Sequence, residues 1–157
     1  MDALSNKTVM ETMNYQSPIR ALKYSQNSKL AAMCENSRII IFDVKNSYSP
    51  IKTLDYDFPN NNYFSLDFSL DGKLLANIST NANTITVWET DNFTLNYKLD
   101  LTGQLISKLQ FAPNNKDLVL LTATSKLLFY WIGLGEIYEF KTAPNLHEFE
   151  CVDFEIN

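Results

Sequence analysis

One motif recurs along this chain at spacings of 44, 43 and 43 residues, and this repeat constrains the fold more than any other feature. The copies begin at Leu22, Leu66, Leu109 and Val152 and read LKYS, LDFS, LQFA and VDFE. Each belongs to a longer apolar triplet: Ile19/Leu22/Tyr24, Tyr63/Leu66/Phe68, Ile106/Leu109/Phe111 and Phe149/Val152/Phe154. Alternate side chains of a β-strand share one face, so the last two members of each triplet predict the buried face of a strand.

Polar turns follow the first three copies of the motif and read SQNSK, SLDGK and APNNK. In the second turn, Asp71-Gly72 favours a type I′ hairpin, in which Gly72 has a positive φ. Further apolar segments bring each period to about four short strands joined by turns. Apolar residues do not recur at a helical period. The pattern predicts an all-β chain in which each repeat forms a small antiparallel sheet that stacks on its neighbours.

Residues 66–90, LDFSLDGKLLANISTNANTITVWET, resemble a WD40 repeat, which forms one blade of a β-propeller. The resemblance extends over essentially the whole chain. Trp88-Glu89 stands where the family has Trp-Asp, Phe42-Asp43 keeps the acid, and Tyr130-Trp131 keeps only the aromatic character. The family's Gly-His dipeptide is absent, and the only histidine, His147, lies two residues too close to its strand. We therefore expect the family's His/Asp/Ser/Trp hydrogen-bond network to be largely missing and apolar packing to hold the blades.

The resemblance implies one WD40 propeller domain with blades at residues 19–56, 63–101 and 105–142. Residues 4–14 would form the outer strand of another blade, and residues 146–157 would start a further one. The expected fold is thus all-β, a propeller segment of about three four-stranded blades with a lone strand at each end. Closed propellers have about four to eight blades, so we expect this chain to be completed by its own continuation or by another chain. The isolated chain is accordingly predicted not to be a stable monomer.

The sequence offers no recognisable constellation for catalysis, metal binding or cofactor binding. Its histidine lacks a nucleophile motif, no Cys/His spacing suits zinc, and Gly133-Leu-Gly135 is interpreted as a turn rather than a phosphate-binding loop. Cys34 and Cys151 are interpreted as buried free thiols. Asp67 is interpreted as the polar side of a strand. We therefore predict that the chain is not an enzyme and uses no cofactor and no metal.

Charge and hydropathy bear on the class of partner. The net charge is −5 and the basic residues are dispersed, a pattern that does not favour direct nucleic-acid binding. No apolar run approaches the length of a membrane span, and the N-terminus lacks the pattern of a secretory signal. We expect protein partners, without direct nucleic-acid or membrane binding. A cytoplasmic location, with the cytoskeleton or cilium as a finer placement, is the corresponding expectation.

The resemblance also implies where partners bind, because propellers use the loops at the rim of their central channel. Those loops join the second and third strands of a blade, or the last strand of one blade and the first of the next. The candidates in them are Arg20, Glu35, Asn62, Tyr63, Asn81, Gln104 and Thr124. We select Arg20, Tyr63, Asn81 and Gln104 as predicted partner-binding residues, with emphasis on the first two because Arg and Tyr are enriched at interface hot spots.

Two functions fit these observations, and an enzyme built on a propeller is a less favoured third. The first is a non-enzymatic scaffold within a larger structural assembly, such as a cytoskeletal or ciliary complex. The alternative is a regulatory propeller that recognises a peptide motif in a ubiquitin-ligase or nuclear complex. The alternative requires a shaped pocket with convergent polar groups at the mouth of the channel.

Overall fold

The computed structural model describes residues 19–26, 30–35, 38–55, 65–78 and 83–140, and within these ranges the chain forms β-strands and no helix. The strands are β1 (Ala21–Tyr24), β2 (Leu30–Glu35), β3 (Arg38–Asp43), β4 (Ser49–Asp55), β5 (Leu66–Phe68), β6 (Leu74–Ile78), β7 (Thr84–Glu89), β8 (Leu95–Asp100), β9 (Ile106–Phe111), β10 (Leu118–Thr122), β11 (Leu127–Trp131) and β12 (Glu136–Phe140).

The strands form three four-stranded antiparallel sheets in which strands adjacent in sequence pair with each other. We call them sheet 1 (β1–β4), sheet 2 (β5–β8) and sheet 3 (β9–β12). The predicted all-β class and the four-stranded antiparallel repeat are confirmed. The lone strands predicted at residues 4–14 and 146–157 lie outside the described residues.

The inner strands of sheets 2 and 3 carry the core between the sheets, as the repeat predicts. Leu66 and Phe68 are 2% and 6% exposed and pack with residues of sheet 1, while Leu109 and Phe111 are each 5% exposed and pack with residues of sheet 2. Their predicted burial is confirmed. Each of these sheets thus places the same two repeat positions against the sheet that precedes it.

The same repeat positions in sheet 1 have a different environment. Leu22 and Tyr24 are 51% and 50% exposed, although their strand has the same apolar pattern. Among the described residues no sheet precedes sheet 1, so this face lacks the neighbour that covers its counterparts. Position in the array, rather than the local pattern, therefore decides whether these side chains are buried.

The turn that connects β5 and β6 confirms one prediction and corrects another. Gly72 has a φ of 71°, in the left-handed region as expected, but Asp71 does not have a positive φ, so the predicted type I′ turn is wrong. Instead, Gly72 N–H donates to Ser69 O at 2.9 Å, so the left-handed Gly72 is the fourth residue of this turn. Asn115 is the fourth residue of the corresponding turn in sheet 3 and has a φ of 63°. Asn tolerates this conformation better than most residues.

A partly buried side-chain hydrogen bond links the two central strands of sheet 2. Trp88 Nε1–H donates to Asn77 Oδ1 at 2.9 Å, and Asn77 Nδ2 donates to the carbonyl of Ile78 at 3.2 Å. Sheet 3 has Leu120 and Tyr130 at the equivalent register positions. The sequence analysis expected little polar networking in these sheets, but sheet 2 retains this link between an aromatic residue and its neighbouring strand.

Tyr97 brings a hydroxyl group into the region between sheets 2 and 3. Its ring lies 6.4 Å from that of Tyr130, and its oxygen is buried without a hydrogen-bond partner in the described part of the chain. Burial raises the pKa of the Tyr97 phenol well above its ordinary value, and the neighbouring Tyr130 and Asp117 raise it further. A buried polar group that lacks a partner destabilises the folded state by about 1–3 kcal/mol.

We therefore expect Tyr97→Phe to leave the free energy of unfolding unchanged or to raise it by about 1 kcal/mol, because the substitution removes the unpaired hydroxyl. The benefit should grow as the pH rises above about 10, since the unfolded tyrosine then loses a proton that the folded one keeps. Urea denaturation at neutral and alkaline pH measures both effects. Tyr48→Phe, whose hydroxyl makes only an exposed contact with Tyr24, is the control for the loss of a phenol. Marked destabilisation by Tyr97→Phe would show that the hydroxyl has a partner.

Candidate interaction surface

Polar contacts join the innermost strands of sheets 2 and 3. Ser65 Oγ accepts a hydrogen bond from Leu109 N at 3.1 Å and donates to Leu109 O at 3.3 Å. Asp67 Oδ2 accepts from Phe111 N at 2.9 Å. These partners are 44 residues apart, as expected when one repeat stacks on the next. Residues with the same spacing also link the β5–β6 and β9–β10 turns, where Asp71 N donates to Asn115 Oδ1 at 2.7 Å.

Asp67 connects all three sheets. Its carboxylate accepts from Phe111 N of sheet 3, and its Oδ1 lies 3.5 Å from Lys23 Nζ of sheet 1. Burial raises the pKa of Asp67, and the opposing effects of the Phe111 N–H and the Lys23 ammonium do not fully offset it. The sequence reading of Asp67 as the polar side of its strand therefore missed a role between sheets, since this role depends on neighbours one repeat away.

Two substitutions of Asp67 should separate its hydrogen bond from its charge. Asp67→Asn keeps an acceptor for Phe111 N–H and should change the free energy of unfolding little. Asp67→Ala leaves that N–H unpaired and should lower it by about 1–3 kcal/mol. Because its folded pKa is raised, the contribution of Asp67 to the free energy of unfolding should decline as the pH rises from about 4, and Asp67→Asn should lose this contribution to the pH dependence. Denaturation curves at several pH values test this, and equal losses for both variants would contradict it.

Of the predicted rim residues, the structure brings two loops together at one end of sheet 3. Gln104, in the β8–β9 connection, is partly buried, and Thr124, in the β10–β11 turn, is exposed. The two segments are joined by Ala123 N–H, which donates to Leu105 O at 2.7 Å. Leu105 is exposed beside them. Gln104 therefore lies on a two-loop surface rather than on an isolated loop.

Of the other predicted rim residues, the structure describes only Arg20 and the backbone of Glu35. Arg20 lies immediately before β1 and is exposed. Tyr63, Asn81 and Asn62 lie outside the described residues, and of Glu35 only the backbone, at the end of β2, is described. The partner-binding role of Arg20, Tyr63, Asn81 and Gln104 stays a prediction.

A groove of about 470 Å³ opens between sheets 1 and 2 at the end of the strands opposite Gln104 and Thr124. Apolar side chains and charged side chains of both signs line it: Leu30, Ile51, Phe93, Asp43, Asp71, Asp91, Lys45 and Lys73. Thr90 Oγ1 donates to Gly72 O at 2.6 Å and fixes two of the turns that border it. The sequence analysis missed this groove because its lining comes from turns that are distant in sequence and carry no shared motif.

Exposed apolar side chains concentrate on the two terminal sheets. Sheet 3 and its β11–β12 turn expose Trp131, Leu134, Ile137, Tyr138 and Phe140. The rings of Trp131 and Tyr138 are 5.1 Å apart, and those of Phe129 and Phe140 are 6.2 Å apart. In sheet 1, Leu22 and Tyr24 are half exposed. Within the described strands of sheet 2, by contrast, Leu95 is the only large apolar side chain that is exposed.

The described residues also bear on metal binding and on membrane crossing. Across the described ranges, no three His, Cys, Asp or Glu side chains come together as a group able to hold a metal ion. Nor does this part of the chain contain a helix of the length and hydropathy that crossing a membrane requires. His147 and Cys151 lie outside the described residues.

Comparison with known proteins identifies solved structures that are similar to this chain. No family model matches the sequence, and no curated protein matches it. Among solved structures, the chain is similar to U3-55K, with 17% identity and a TM-score of 0.68 over 81% of this chain and 40% of that one. It is equally similar to the Cps50 (Swd1) β-propeller domain of Myceliophteria thermophila, at 12% identity, a TM-score of 0.68, and 81% and 40% coverage.

A third solved structure, the RRP9 WD40 repeats, matches at 17% identity and a TM-score of 0.68, over 81% of this chain and 39% of that one. The chain thus spans about 40% of the length of the solved structures it matches. Two of these structures are named as a β-propeller domain and as WD40 repeats, which agrees with the three four-stranded sheets of this chain. The chain therefore has the β-propeller fold of the WD40 structures that it matches, and its three sheets correspond to blades of such a propeller.

Proposed function

We propose that the chain is a non-enzymatic scaffold for protein interaction, whose partners dock on the apolar faces of its terminal sheets. The observation that carries this proposal is the distribution of exposed apolar side chains. They are concentrated on sheets 1 and 3 and nearly absent from the strands of sheet 2, which is covered on both sides. Contiguous exposed apolar surface on a folded domain is typical of an interaction site.

The internal interfaces indicate what kind of partner fits these faces. In both of them, an apolar pair on an inner strand packs on the sheet that precedes it. Leu22 and Tyr24 of sheet 1 have the same positions and chemistry as those pairs, so a further β-sheet would bury them in the same way. Burying one such side chain is worth about 1.5–3 kcal/mol. The partner is therefore further propeller blades, supplied by a continuation of this chain or by another chain.

The assembly that contains this scaffold is a finer proposal. We propose a structural complex in the cytoplasm, with the cytoskeleton or cilium as the specific setting. None of the three solved structures reported above is named as a cytoskeletal or ciliary component, so this placement is supported only by the scaffold character of the fold. Direct binding to nucleic acid or membrane is not part of the proposal, because the dispersed basic residues provide no evident patch for it.

A regulatory recognition propeller is the second candidate function. A cavity of about 240 Å³ lies along the inner strands and favours it. Lys23, Asp67 and Gln110 converge on this cavity from the three sheets, beside the rings of Tyr24 and Phe111. A mixed polar and aromatic cavity of this kind could accept one side chain of a peptide.

Affinity purification with matched variants tests the proposed function. Leu22→Asp places a charge on the open face of sheet 1, and Leu95→Asp places the same charge on an exposed position of sheet 2. Partners should be lost with Leu22→Asp and retained with Leu95→Asp. Structural assembly proteins among the partners would support the scaffold, whereas ligase or nuclear subunits would support recognition.

The mass of the unmodified chain in solution provides an independent readout. We expect association or poor stability, because open blade faces are unfavourable in water. A soluble monomer that melts sharply and retains no partner through Leu22 would contradict the proposed function.

A further inference from the structure

The outermost strands of the three sheets, β4, β8 and β12, differ in how their open edges are protected. Natural proteins protect edge strands with proline, lysine or local irregularities that prevent pairing with another strand. β4 contains Pro50 and Lys52 and has a register shift against β3. β8 contains Lys98 and has a register shift against β7.

β12 has none of these protections. Its sequence is EIYEF, without proline or lysine, and it pairs with β11 in unbroken register from Leu127 opposite Phe140 to Trp131 opposite Glu136. All five residues are exposed, with Ile137 at 43%, Tyr138 at 47% and Phe140 at 55%. In the described part of the chain, nothing pairs along its outer edge. β12 is therefore a regular edge, with three apolar residues and two glutamates, that is open to a further strand.

We propose that this edge binds a second copy of the chain through antiparallel pairing of β12 with β12, centred on Tyr138. Alternate residues of a strand direct their backbone groups to the same edge. Two copies of one strand can therefore pair only in registers that match residues of the same parity. Among these, the register centred on Tyr138 is the one in which all five residues of each copy are paired.

The side chains favour this register as well. Glu136 lies opposite Phe140 of the second copy, Ile137 lies opposite Glu139, and Tyr138 lies opposite its own equivalent. No carboxylate faces another carboxylate, whereas a register centred on Glu139 would place two of them together, which is unfavourable across strands. Lys126 Nζ, 3.1 Å from Glu139 Oε2, further reduces the negative charge at the seam. A symmetric interface of this kind requires only one self-complementary segment.

The pairing would also extend an existing aromatic cluster across the seam. Tyr138 packs against Trp131, and Phe140 packs against Phe129, on the face of sheet 3 that points away from sheet 2. Tyr138 of the second copy would join the edge of this cluster. The inference names one partner within the proposed interaction function and rests on that function, but it uses the edge of sheet 3 rather than the blade faces.

Disulfide trapping tests both the contact and its register. In a background in which Cys34 and Cys151 are replaced by alanine, Tyr138→Cys would place two thiols on residues directly opposite each other. Their Cα atoms would be about 4.5–5.5 Å apart, within the range of about 4.4–6.8 Å that a disulfide spans. Phe140→Cys is the matched control, since it lies on the same strand and face but would be about 14 Å from its own equivalent.

Under mild oxidation, Tyr138→Cys should form covalent dimers at least several-fold faster than Phe140→Cys, as measured on non-reducing gels. Equal rates for the two variants, or no dimer from either, would overturn the proposal. Tyr138→Lys, which copies the lysine protection of β8, should weaken concentration-dependent association in sedimentation, whereas Leu95→Lys should not. Thermal melts of each variant confirm that it is folded.

The two proposals fail in different ways. If the cysteine variants do not cross-link but Leu22→Asp still loses its partners, the edge inference is wrong and the interaction function stands. If Tyr138→Cys cross-links selectively while Leu22→Asp loses nothing, the self-association stands and docking on the blade faces is wrong.

Discussion

Truncation of Phe111 to alanine should lower the free energy of unfolding by about 3–5 kcal/mol, because it leaves a cavity in the core between sheets 2 and 3. Phe111 lies on the innermost strand of sheet 3 and packs within a cluster that includes Leu109, Leu118 and Tyr130. Phe68→Ala removes the equivalent ring between sheets 1 and 2 and should have a similar effect. Chemical denaturation of each variant measures these losses.

The repeat itself supplies the control for this prediction. Tyr24 occupies the same repeat position in sheet 1 but is half exposed. Tyr24→Ala should therefore change stability by less than about 1 kcal/mol, as is usual for exposed positions. Losses below about 1 kcal/mol at both Phe68 and Phe111 would show that the repeat register is wrong. A large loss at Tyr24 would show that its face is covered in solution, as docking of further blades on sheet 1 would require.

The contrast between these positions shows how much the sequence determines. Strand positions and buried faces could be predicted because a period of two within strands and a period near 43 between them are both present in the sequence. The exposure of Leu22 and Tyr24 could not be predicted from that pattern, which is the same in every copy. It depends on which sheets are adjacent, a property of the array.

Turn geometry marks a second limit. The Asp71-Gly72 pair correctly predicted a left-handed glycine but suggested the wrong turn type. The loop is longer than two residues, and it is closed by hydrogen bonds from Ser69 Oγ and Lys73 N to Asp71 Oδ1. Side-chain capping of this kind stabilises a turn that the dipeptide alone does not specify.

The candidate site was predictable only in outline. The connections that place Gln104 near Thr124 follow from the strand order, which the repeat predicted. The groove beside Phe93 and the open edge of β12 depend on differences between the repeats. One turn holds a phenylalanine with a φ of 56°, and one outer strand lacks the lysine that the other two carry. Such differences acquire meaning only once the strands are aligned in space.

The hydrogen bond between Trp88 and Asn77 gives the second large expected effect. Asn77→Leu should lower the free energy of unfolding by about 1–3 kcal/mol, because the substitution leaves the indole N–H of Trp88 without its acceptor. Asn77 is completely buried, so water cannot replace that acceptor without a rearrangement of the sheet. Leucine has a suitable shape for this position, since Leu120 stands there in sheet 3. The loss should therefore come from the unpaired donor rather than from a clash.

A double-mutant cycle isolates this interaction. Trp88→Tyr alone leaves Asn77 without its donor, whereas Asn77→Leu combined with Trp88→Tyr reproduces the pair that sheet 3 carries as Leu120 and Tyr130. Replacement of both partners can be nearly neutral even when each single change is unfavourable. We therefore expect the loss in free energy of unfolding for the double variant to be smaller than the sum of the two single losses by about 1 kcal/mol or more. Urea denaturation of the three variants measures this difference. Strict additivity would mean that the bond between Trp88 and Asn77 does not stabilise sheet 2, and that apolar packing alone holds it, as the sequence first suggested.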